Sequence, residues 1–565
     1  MLFSIGGIAA TVGTPSVLVW TLSVTFGFIQ AFTYAEIAGL FPNKSGGASV
    51  YGAAAWVRYS KFIAPLSVWC NWLAWTPVLA IGCGIAAGYI LTALFPAEAA
   101  IRTWEIQLLD LSFFKEGLGL RLNSTFFIGA ILMLISFGIQ HRGILSTAKV
   151  QTIVGVSVLL PLLIIGIVPL ITGDVSMKAF EPFAPGTDIG TAAWDRAGWT
   201  LFFGGLFIAA WSAYAFETAI CYTSEFRNPA TDTYKAILYS GLLCIAVYVL
   251  VPLSFQGALG LAGVMAPGIV DGSGVAQAMA SMVGGGALVT NLLIVMLILA
   301  LMLAITTAMA GSSRTLYQGS VDGWLPRYLS RVNKNGAPTN GMGTDLAFNL
   351  ILLLMSDYLF VLAVSNVCYI VFNFLNLNAG WIHRIDNAHV KRPWKAPTVL
   401  LGAGVVLAFV NAFLLGAGAE VWGSGTLVAG AIAIGLVVPV FVYRHFIQDK
   451  GVFPPEMLAD LSVDGKTISE PKAVSCLTWH SLAASFQPRS PTLFSGRRTL
   501  PTRSNPPHAG RNGRDQRLVS AVFQSGLKAK TRTVSERPGL KIRLCQIAAS
   551  RFALLSSSSL ILHGT

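Results

Sequence analysis

Charged residues are scarce in this chain: they make up 11% of its 565 residues, whereas 54% are hydrophobic. Soluble globular domains carry about 25% charged residues, so this composition excludes that class of protein. The mean hydropathy of +0.66 points the same way. We therefore expect most of the chain to reside in a lipid bilayer.

Cysteine is sparse and irregularly spaced. The chain has seven cysteines, and five of them stand singly in apolar segments, at positions 70, 83, 221, 244 and 368. No CxxC pair occurs, so the spacing favours no disulfide framework and no metal-binding motif. We expect these cysteines to be small core residues, and we expect neither a metal nor a cofactor.

Recognisable catalytic motifs are missing as well. The sequence contains no HExxH, no GxSxG and no complete phosphate-binding Walker A loop. Gly465-Lys466-Thr467 resembles the end of such a loop, but Asp460 occupies the position of its first glycine. These absences disfavour an integral-membrane enzyme and an ATP-driven transporter.

Most of the chain has no excess of positive or negative charge. The net charge is +13, but residues 1–470 hold 23 basic and 23 acidic residues, whereas residues 471–565 hold 15 and 2. The basicity belongs to the tail, so we expect no nucleic-acid partner. The tail composition predicts disorder. It could bind anionic lipid, and the abrupt change after Lys472 could equally come from a shifted reading frame.

Long apolar runs are abundant. A helix needs about 20 mostly apolar residues to cross a bilayer. Eleven runs approach that length, two of them only with flanking residues, at 16–37, 64–94, 125–140, 147–172, 199–221, 236–258, 285–311, 343–356, 358–381, 398–417 and 424–444. The segment MLFSIGGIAAT before the first run is too short to cross. We predict an all-α integral membrane protein.

Basic residues are distributed unevenly between alternate loops. One set of loops holds 17 Lys and Arg residues and the other set holds five. Because positively charged loops stay in the cytoplasm, the first set, which includes residues 313–326, is predicted to be cytoplasmic. The C-terminal tail, residues 446–565, lies on the same side in this prediction.

Three motifs stand where predicted helices end. SRTLYQGSVDGWLP at 313–326 is followed by NGAP at 335–338. YAEIAGLFPNKSGGASVY occupies 34–51, and FETAICYTSEFRNP occupies 216–229. Together the three motifs resemble those of the amino acid/polyamine/organocation (APC) permeases, and the resemblance covers about residues 1–445.

The resemblance implies a LeuT-type fold with two inverted five-helix repeats. In this fold two broken helices meet at the bilayer midplane and present their dipole ends and free carbonyls to the substrate. Mapped onto this chain, the resemblance implies a first repeat at 1–172, a second at 173–381, two additional helices at 382–445 and the tail at 446–565. We expect about eleven full transmembrane helices and a partial first helix.

The first helix departs from the family pattern. The family has a Gly-Ser/Thr-Gly break about twenty residues before the Trp of the second helix, and counting back from Trp20 places that break at or before Met1. Ser4-Ile5-Gly6-Gly7 is an alternative break with a shorter spacing. A chain without this half of the site would be a transport-inactive sensor or a remnant of a permease, which is our alternative to a transporter.

Glu217 is the main functional candidate. A carboxylate inside an apolar run is costly, and it indicates a functional site by default. The alternative is a neutral, hydrogen-bonded glutamate that joins two helices. The resemblance favours function, because Glu217 falls where the family has a glutamate implicated in coupling transport to an ion.

Candidate substrate-binding residues lie on two helices. The stretch AWSAYAFET, with Trp211, Tyr214, Ala215 and Phe216, is the predicted break of the sixth helix, and Trp211 matches a gating aromatic of some family members. On the third helix, Trp72 and Trp75 are three residues apart and are predicted to share a face. Asn71 precedes them. Packing within the helix bundle is the alternative role for these aromatic side chains.

Ion coupling has two candidate routes. The predicted fifth helix carries no charge within its apolar span, unlike the proton-coupled relatives that place a lysine there, so proton coupling depends on Glu217. Hydroxyls of Thr306 and Thr307 could ligate a sodium ion, although such groups commonly bond to their own helix. From the resemblance we expect proton-coupled symport or exchange of an amino acid or amine in the plasma membrane.

Overall fold

A computed structural model describes residues 1–41, 44–96, 98–142, 144–186, 188, 190–226 and 228–454. Within these ranges the side chains of residues 144–150, 222, 224, 225 and 230 are not described. The predictions for the tail from residue 455 onward, including Gly465-Lys466-Thr467, lie outside the described residues.

The apolar runs form α-helices, which satisfy every backbone hydrogen bond within one segment, as a bilayer requires. In chain order the helices are α1 (Leu2–Val12), α2 (Ser16–Gly39), α3 (Ala48–Trp56), α4 (Ile63–Trp75), α5 (Val78–Leu94), α6 (Ala100–Thr103), α7 (Ser124–His141), α8 (Ile144–Thr172), α9 (Arg196–Ala213), α10 (Pro229–Val264), α11 (Pro267–Val270), α12 (Val275–Met282), α13 (Ala287–Val321), α14 (Thr339–Leu352), α15 (Tyr358–Asp386), α16 (Thr398–Gly418), α17 (Thr426–Gly435) and α18 (Val437–Val442).

Short helical segments of other types connect or extend these helices. 3₁₀ turns cover Met177–Phe180, Ala215–Glu225, Arg327–Ser330 and Ala419–Trp422, and a π-helical turn covers Tyr443–Gln448. The segment Ala215–Glu225, here called the 3₁₀ segment, directly follows α9.

Ten spans in the described part of the chain are long and apolar enough to cross a membrane. The all-α membrane architecture expected from the sequence is therefore confirmed. The run at 343–356 forms α14, which has 14 residues, so by its length it does not cross the bilayer alone.

The first helix is short and continuous. α1 runs from Leu2 to Val12 without interruption, so the alternative break at Ser4–Gly7 was wrong. Gly6 explains part of the packing: a Cβ atom there would lie 2.7 Å from the Ile269 backbone. Gly6 therefore allows close approach of α11 rather than a change of helix direction.

Two spans are interrupted. The span Ile63–Leu94 consists of α4 and α5, which are separated at Thr76 and Pro77. The span Arg196–Cys221 changes from the α-helix α9 to the 3₁₀ segment at Tyr214. The predicted break within AWSAYAFET is therefore present in the structure.

A β-hairpin is a feature of the described fold that the sequence analysis did not predict. β1 (Glu105–Asp110) pairs antiparallel with β2 (Gly119–Asn123). Arg121 donates its backbone N–H to the Leu354 carbonyl at 2.7 Å, and Ser356 donates to the Gly119 carbonyl at 2.9 Å. These bonds attach the hairpin to the junction of α14 and α15.

Close backbone contact holds α2 against the break in α9. Gly27 on α2 is the contact point, because a Cβ atom there would lie 2.5 Å from the Ala213 carbonyl oxygen and 2.9 Å from the Tyr214 ring. Any side chain at position 27 would push the two elements apart. The glycine therefore fixes the position of the interrupted segment in the core.

Buried ion pairs join the end of α2 to α15. Glu36 accepts hydrogen bonds from Arg384 at 2.6 and 2.9 Å and from Arg392 at 2.9 Å. The backbone N–H of Ala396 donates to the same carboxylate at 2.8 Å. Glu36 is thus fully paired within the described structure, consistent with a structural role.

Candidate functional site

The helix interruptions adjoin a central cavity of about 520 Å³. Side chains from α1, α4, α5, α8, α9, the 3₁₀ segment, α10 and α13 line it. Most lining residues are apolar, and the polar ones are Gln151, Ser212, Thr218, Ser240, Thr307, Ser312 and Thr315. Cavities of this size hold small organic ligands.

Two tryptophans form one wall of the cavity. Trp75 and Trp211 both line it, and their ring centroids are 5.9 Å apart. The indole N–H of Trp211 donates to the Ala74 carbonyl at 2.9 Å and to the Ser365 hydroxyl at 2.8 Å. The proposed gating aromatic therefore contacts the cavity and is held by hydrogen bonds to the end of α4 and to α15.

The residues at the interruption after α9 point to different places: some line the cavity and one is buried away from it. Ala215 and Phe216 line the cavity, as expected for substrate-binding residues. Tyr214 is buried elsewhere and donates its hydroxyl to Asn411 at 3.1 Å. Tyr369 donates to the Tyr214 carbonyl at 3.1 Å and so satisfies a carbonyl that the end of α9 leaves free.

Glu217 lies behind this wall rather than in it. Its side chain is buried, and neither carboxyl oxygen has a hydrogen-bond partner among the residues that the structure describes. Trp75 and Tyr369 are its polar neighbours. Because the Tyr369 hydrogen is donated to Tyr214, the Tyr369 oxygen is free to accept a hydrogen bond from a protonated Glu217. A carboxyl group in this position can exchange between a neutral form and a costly charged form.

Trp72 and Asn71 do not line the cavity in the described structure. Trp72 points to α14, where it donates to Asp345 at 2.5 Å, whereas Trp75 faces Trp211. The expectation that the two tryptophans share a face was wrong: both belong to α4, but positions three apart differ by about 60° around a helix, and the two rings contact different elements. Asn71 donates to the Ser49 hydroxyl at 2.8 Å.

The threonines of α13 are hydrogen-bonded within the bundle. Thr306 donates to the Met302 carbonyl at 2.8 Å, and Thr307 donates to the Leu303 carbonyl at 2.8 Å. Gln151 donates to both threonine hydroxyls, at 3.3 and 3.1 Å. A sodium ion would compete with these glutamine contacts, so ion ligation by the threonines stays a prediction. Among the described residues no group of His, Cys, Asp and Glu is placed to hold a metal.

Asp345 is a buried acidic residue that the sequence analysis missed. It lies on α14 with no exposed surface and accepts hydrogen bonds from Trp72 at 2.5 Å, from Thr76 at 3.1 Å and from Ser312. The signal was present, because Asp345 is a single carboxylate within the apolar run 343–356. The same argument that selected Glu217 would have selected Asp345.

A bundle of apolar helices around a cavity with interrupted helices and a buried carboxylate defines a multi-pass membrane transporter. The sequence pattern of the amino acid permeases matches residues 1–438, and the chain belongs to this family of the APC superfamily. The prediction from the three sequence motifs is confirmed.

Curated relatives are transporters rather than enzymes. The polyamine transporter PUT1 of rice, Oryza sativa subsp. japonica, is 24% identical over 443 residues, which cover 76% of this chain and 72% of that protein. The uncharacterized transporter lpg1691 of Legionella pneumophila is 26% identical over 365 residues, which cover 63% of this chain and 69% of that protein. This chain is therefore a membrane-embedded transporter of small molecules.

Proposed function

We propose that this permease carries amino acids or related amines across the plasma membrane by alternating access, coupled to protons. The observation that carries the proposal is the buried, unpartnered carboxyl group of Glu217 behind the aromatic wall of the central cavity, in the described structure. An ionisable group that deep in a membrane protein is expensive and is characteristic of a proton relay.

The cavity suits a substrate with a cationic amino group. α9 ends at Ala213, so the negative end of its dipole is directed to the site and favours a positive charge. The faces of Trp75 and Trp211 can attract the same charge by cation–π interaction. The name of the rice relative points to amines as well.

The position of Glu217 next to the wall supports proton coupling. A proton that enters from the outside neutralises Glu217, and Tyr369 accepts its hydrogen bond. Trp75 lines the cavity and neighbours this carboxyl group, so a substrate that displaces Trp75 also changes the surroundings of Glu217. Release of both to the other side returns the charged form, and return of the empty transporter completes one turnover of symport. In exchange, the transporter returns with a second substrate molecule instead.

The proposed domain division is that of a fold with two inverted repeats. We propose residues 1–172 as the first inverted repeat, 173–381 as the second and 382–445 as two additional helices, with the C-terminus in the cytoplasm. In support, α9 and its interruption fall within the second range near its start. The first helix of each repeat is the one that is interrupted in this fold.

Uptake into proteoliposomes tests the proposed function. Purified full-length protein would be assayed with radiolabelled putrescine, spermidine, arginine and leucine, with and without an inward proton gradient. We expect the gradient to accelerate uptake of at least one compound, and E217Q to remove that acceleration. The matched control is E420Q, because Glu420 is an exposed glutamate.

Two results would overturn the proposal. Wild-type protein that moves none of these compounds would favour a transport-inactive sensor. Uptake by E217Q that responds to the gradient as the wild type does would remove Glu217 from the mechanism.

A further inference from the structure

Asp345 is held by three side chains at once. Its Oδ1 atom accepts the indole N–H of Trp72 on α4 at 2.5 Å and the hydroxyl of Thr76, which follows α4, at 3.1 Å. Its Oδ2 atom is hydrogen-bonded to the hydroxyl of Ser312 on α13. The two oxygen atoms of one carboxyl group therefore have different kinds of partners.

The hydrogen bonds around Oδ1 have a fixed direction. Asn349 donates its amide N–H to the Thr76 oxygen at 2.7 Å, and its own oxygen accepts from the Ala80 backbone at 3.1 Å. The Thr76 hydrogen must then point to Asp345, and the Trp72 indole can only donate. Two donors therefore converge on Oδ1, which leaves no place there for an acidic proton.

Oδ2 is the atom that can carry a proton. Its partner, the Ser312 hydroxyl, can either donate to a carboxylate or accept from a carboxylic acid. Ser312 also lines the central cavity, whereas Asp345 does not. Ser312 therefore contacts both a fully buried acid and the space that we assign to the substrate.

Neutral groups surround the carboxyl group. Trp72, Thr76 and Ser312 are uncharged, and within the described part of the chain no basic side chain forms an ion pair with Asp345. Titratable side chains lie on the elements that pack against α14 or hold Asp345, and none of them is hydrogen-bonded to Asp345 in that part. They are Cys70 (α4), Cys83 and Tyr89 (α5), His141 (α7), Arg314 and Tyr317 (α13), and Arg327 and Tyr328 (the 3₁₀ turn before α14). Glu217 shares no hydrogen-bonding neighbour with Asp345.

We propose that Asp345 is a second proton-carrying group of the transport cycle and that it exchanges its proton with the cavity through Ser312. The proton on Oδ2 passes to the Ser312 oxygen while the Ser312 hydrogen passes to water or substrate in the cavity, so one proton leaves and the serine is regenerated. Ser312 then rotates to donate to the carboxylate, which three hydrogen bonds stabilise. The role in the cycle rests on the proton-coupled transport proposed above; the proton exchange itself does not.

Infrared spectroscopy tests the exchange without any substrate. pH-induced difference spectra of the full-length protein in lipid would show the carbonyl band of a protonated carboxyl group. We expect D345N to remove one such band, and S312A to shift the band and slow its exchange. S157A is the matched serine control, because Ser157 is exposed on α8. Asparagine preserves shape, accepts from Trp72 and Thr76 and donates to Ser312, so D345N is expected to fold.

Proton counting tests the role in transport. Proteoliposomes with an internal pH dye would report protons moved for each radiolabelled putrescine or arginine molecule. We expect D345N to lower this ratio while substrate-for-substrate exchange continues, and D188N, at an exposed loop position, to leave it unchanged. An unchanged ratio in D345N would refute the role in the cycle, and unchanged infrared difference bands in D345N and S312A would refute the exchange. Absence of all wild-type uptake would instead refute the proposed function, since the infrared result stands separately.

Discussion

Trp75 and Trp211 face each other at the cavity with their ring planes inclined by 35° and their centroids 5.9 Å apart. The first is the last residue of α4, and the second is near the end of α9. Ser365 and Ala74, which accept from Trp211, are themselves joined by a 2.9 Å hydrogen bond. The wall is therefore a preformed surface in which two interrupted spans meet.

Two substitutions of Trp211 distinguish the contribution of its aromatic ring from that of its hydrogen bonds. W211A removes the aromatic face, and because a cation–π contact contributes roughly 0.5–2 kcal/mol, we expect the KM for a cationic substrate to rise about 2- to 30-fold. W211F keeps a ring and leaves Ser365 bonded to Ala74, so its KM should rise less. Uptake kinetics measure both. W199F is the control on the same helix, with an exposed side chain; an unchanged KM in W211A would contradict the assignment.

Removing the negative charge of Glu36 should destabilise the protein. E36Q leaves Arg384 and Arg392 without a buried counter-charge, and breaking a buried ion pair in this way costs about 3–5 kcal/mol. We expect a clear fall in melting temperature in detergent, measured by intrinsic fluorescence. E420Q should melt like the wild type. Equal melting of E36Q and E420Q would show that the ion pairs contribute no net stability.

Gly27 should not tolerate even a methyl group. G27A would place a carbon atom 2.5 Å from the Ala213 carbonyl oxygen, which is backbone and cannot move independently. We expect loss of monodisperse protein on size-exclusion chromatography. G138A is the matched control, since no atom lies within 4 Å of its Cβ position. Normal yield and unchanged uptake in G27A would mean that α2 and α9 can separate without consequence.

The pair of Lys44 and Asp322 predicts a pH-dependent effect. Burial raises the pKa of Asp322, and Lys44, at 3.0 Å, opposes that rise. K44A removes the opposing charge, so the pKa of Asp322 rises further. A carboxyl group whose pKa is raised on folding favours the native state at low pH and loses that contribution as pH rises through the folded pKa.

Thermal unfolding at several pH values checks this sign. We expect K44A to melt below the wild type at neutral pH and the difference to shrink on acidification. K178A, which alters an exposed lysine, should show no difference at any pH. A deficit in K44A that stays constant across pH would indicate that the lysine acts through packing and not through charge.

The fold was predictable because every segment that crosses a bilayer must be apolar over about 20 residues. Apolar length alone located α2, α7, α13 and the other crossings, and the resemblance to the permeases located the interruption after α9. The neighbours of single side chains were not predictable: the spacing of Trp72 and Trp75 indicated a shared face, yet Trp72 contacts Asp345 on α14 and Trp75 contacts Trp211 on α9. Asp345 was missed because α14 was judged by its apolar length and not by its single charge.

The hairpin formed by β1 and β2 escaped prediction for a different reason. Its residues lie in a loop by the hydropathy criterion, and its second strand is positioned by backbone bonds to Leu354 and Ser356, far away in sequence. The spacing of residues along the sequence does not predict backbone contacts between such distant segments.

The hairpin also gives this permease an exposed epitope that is useful for electron microscopy. A 60.1 kDa protein composed mainly of helices gives electron microscopy little to align once detergent surrounds it. All six residues of β1 are exposed, and the strand is tied through β2 to the junction of α14 and α15. An antibody fragment raised against β1 would stand rigidly on the membrane domain and serve as a fiducial marker, and its angle would report movement of that junction between conformers.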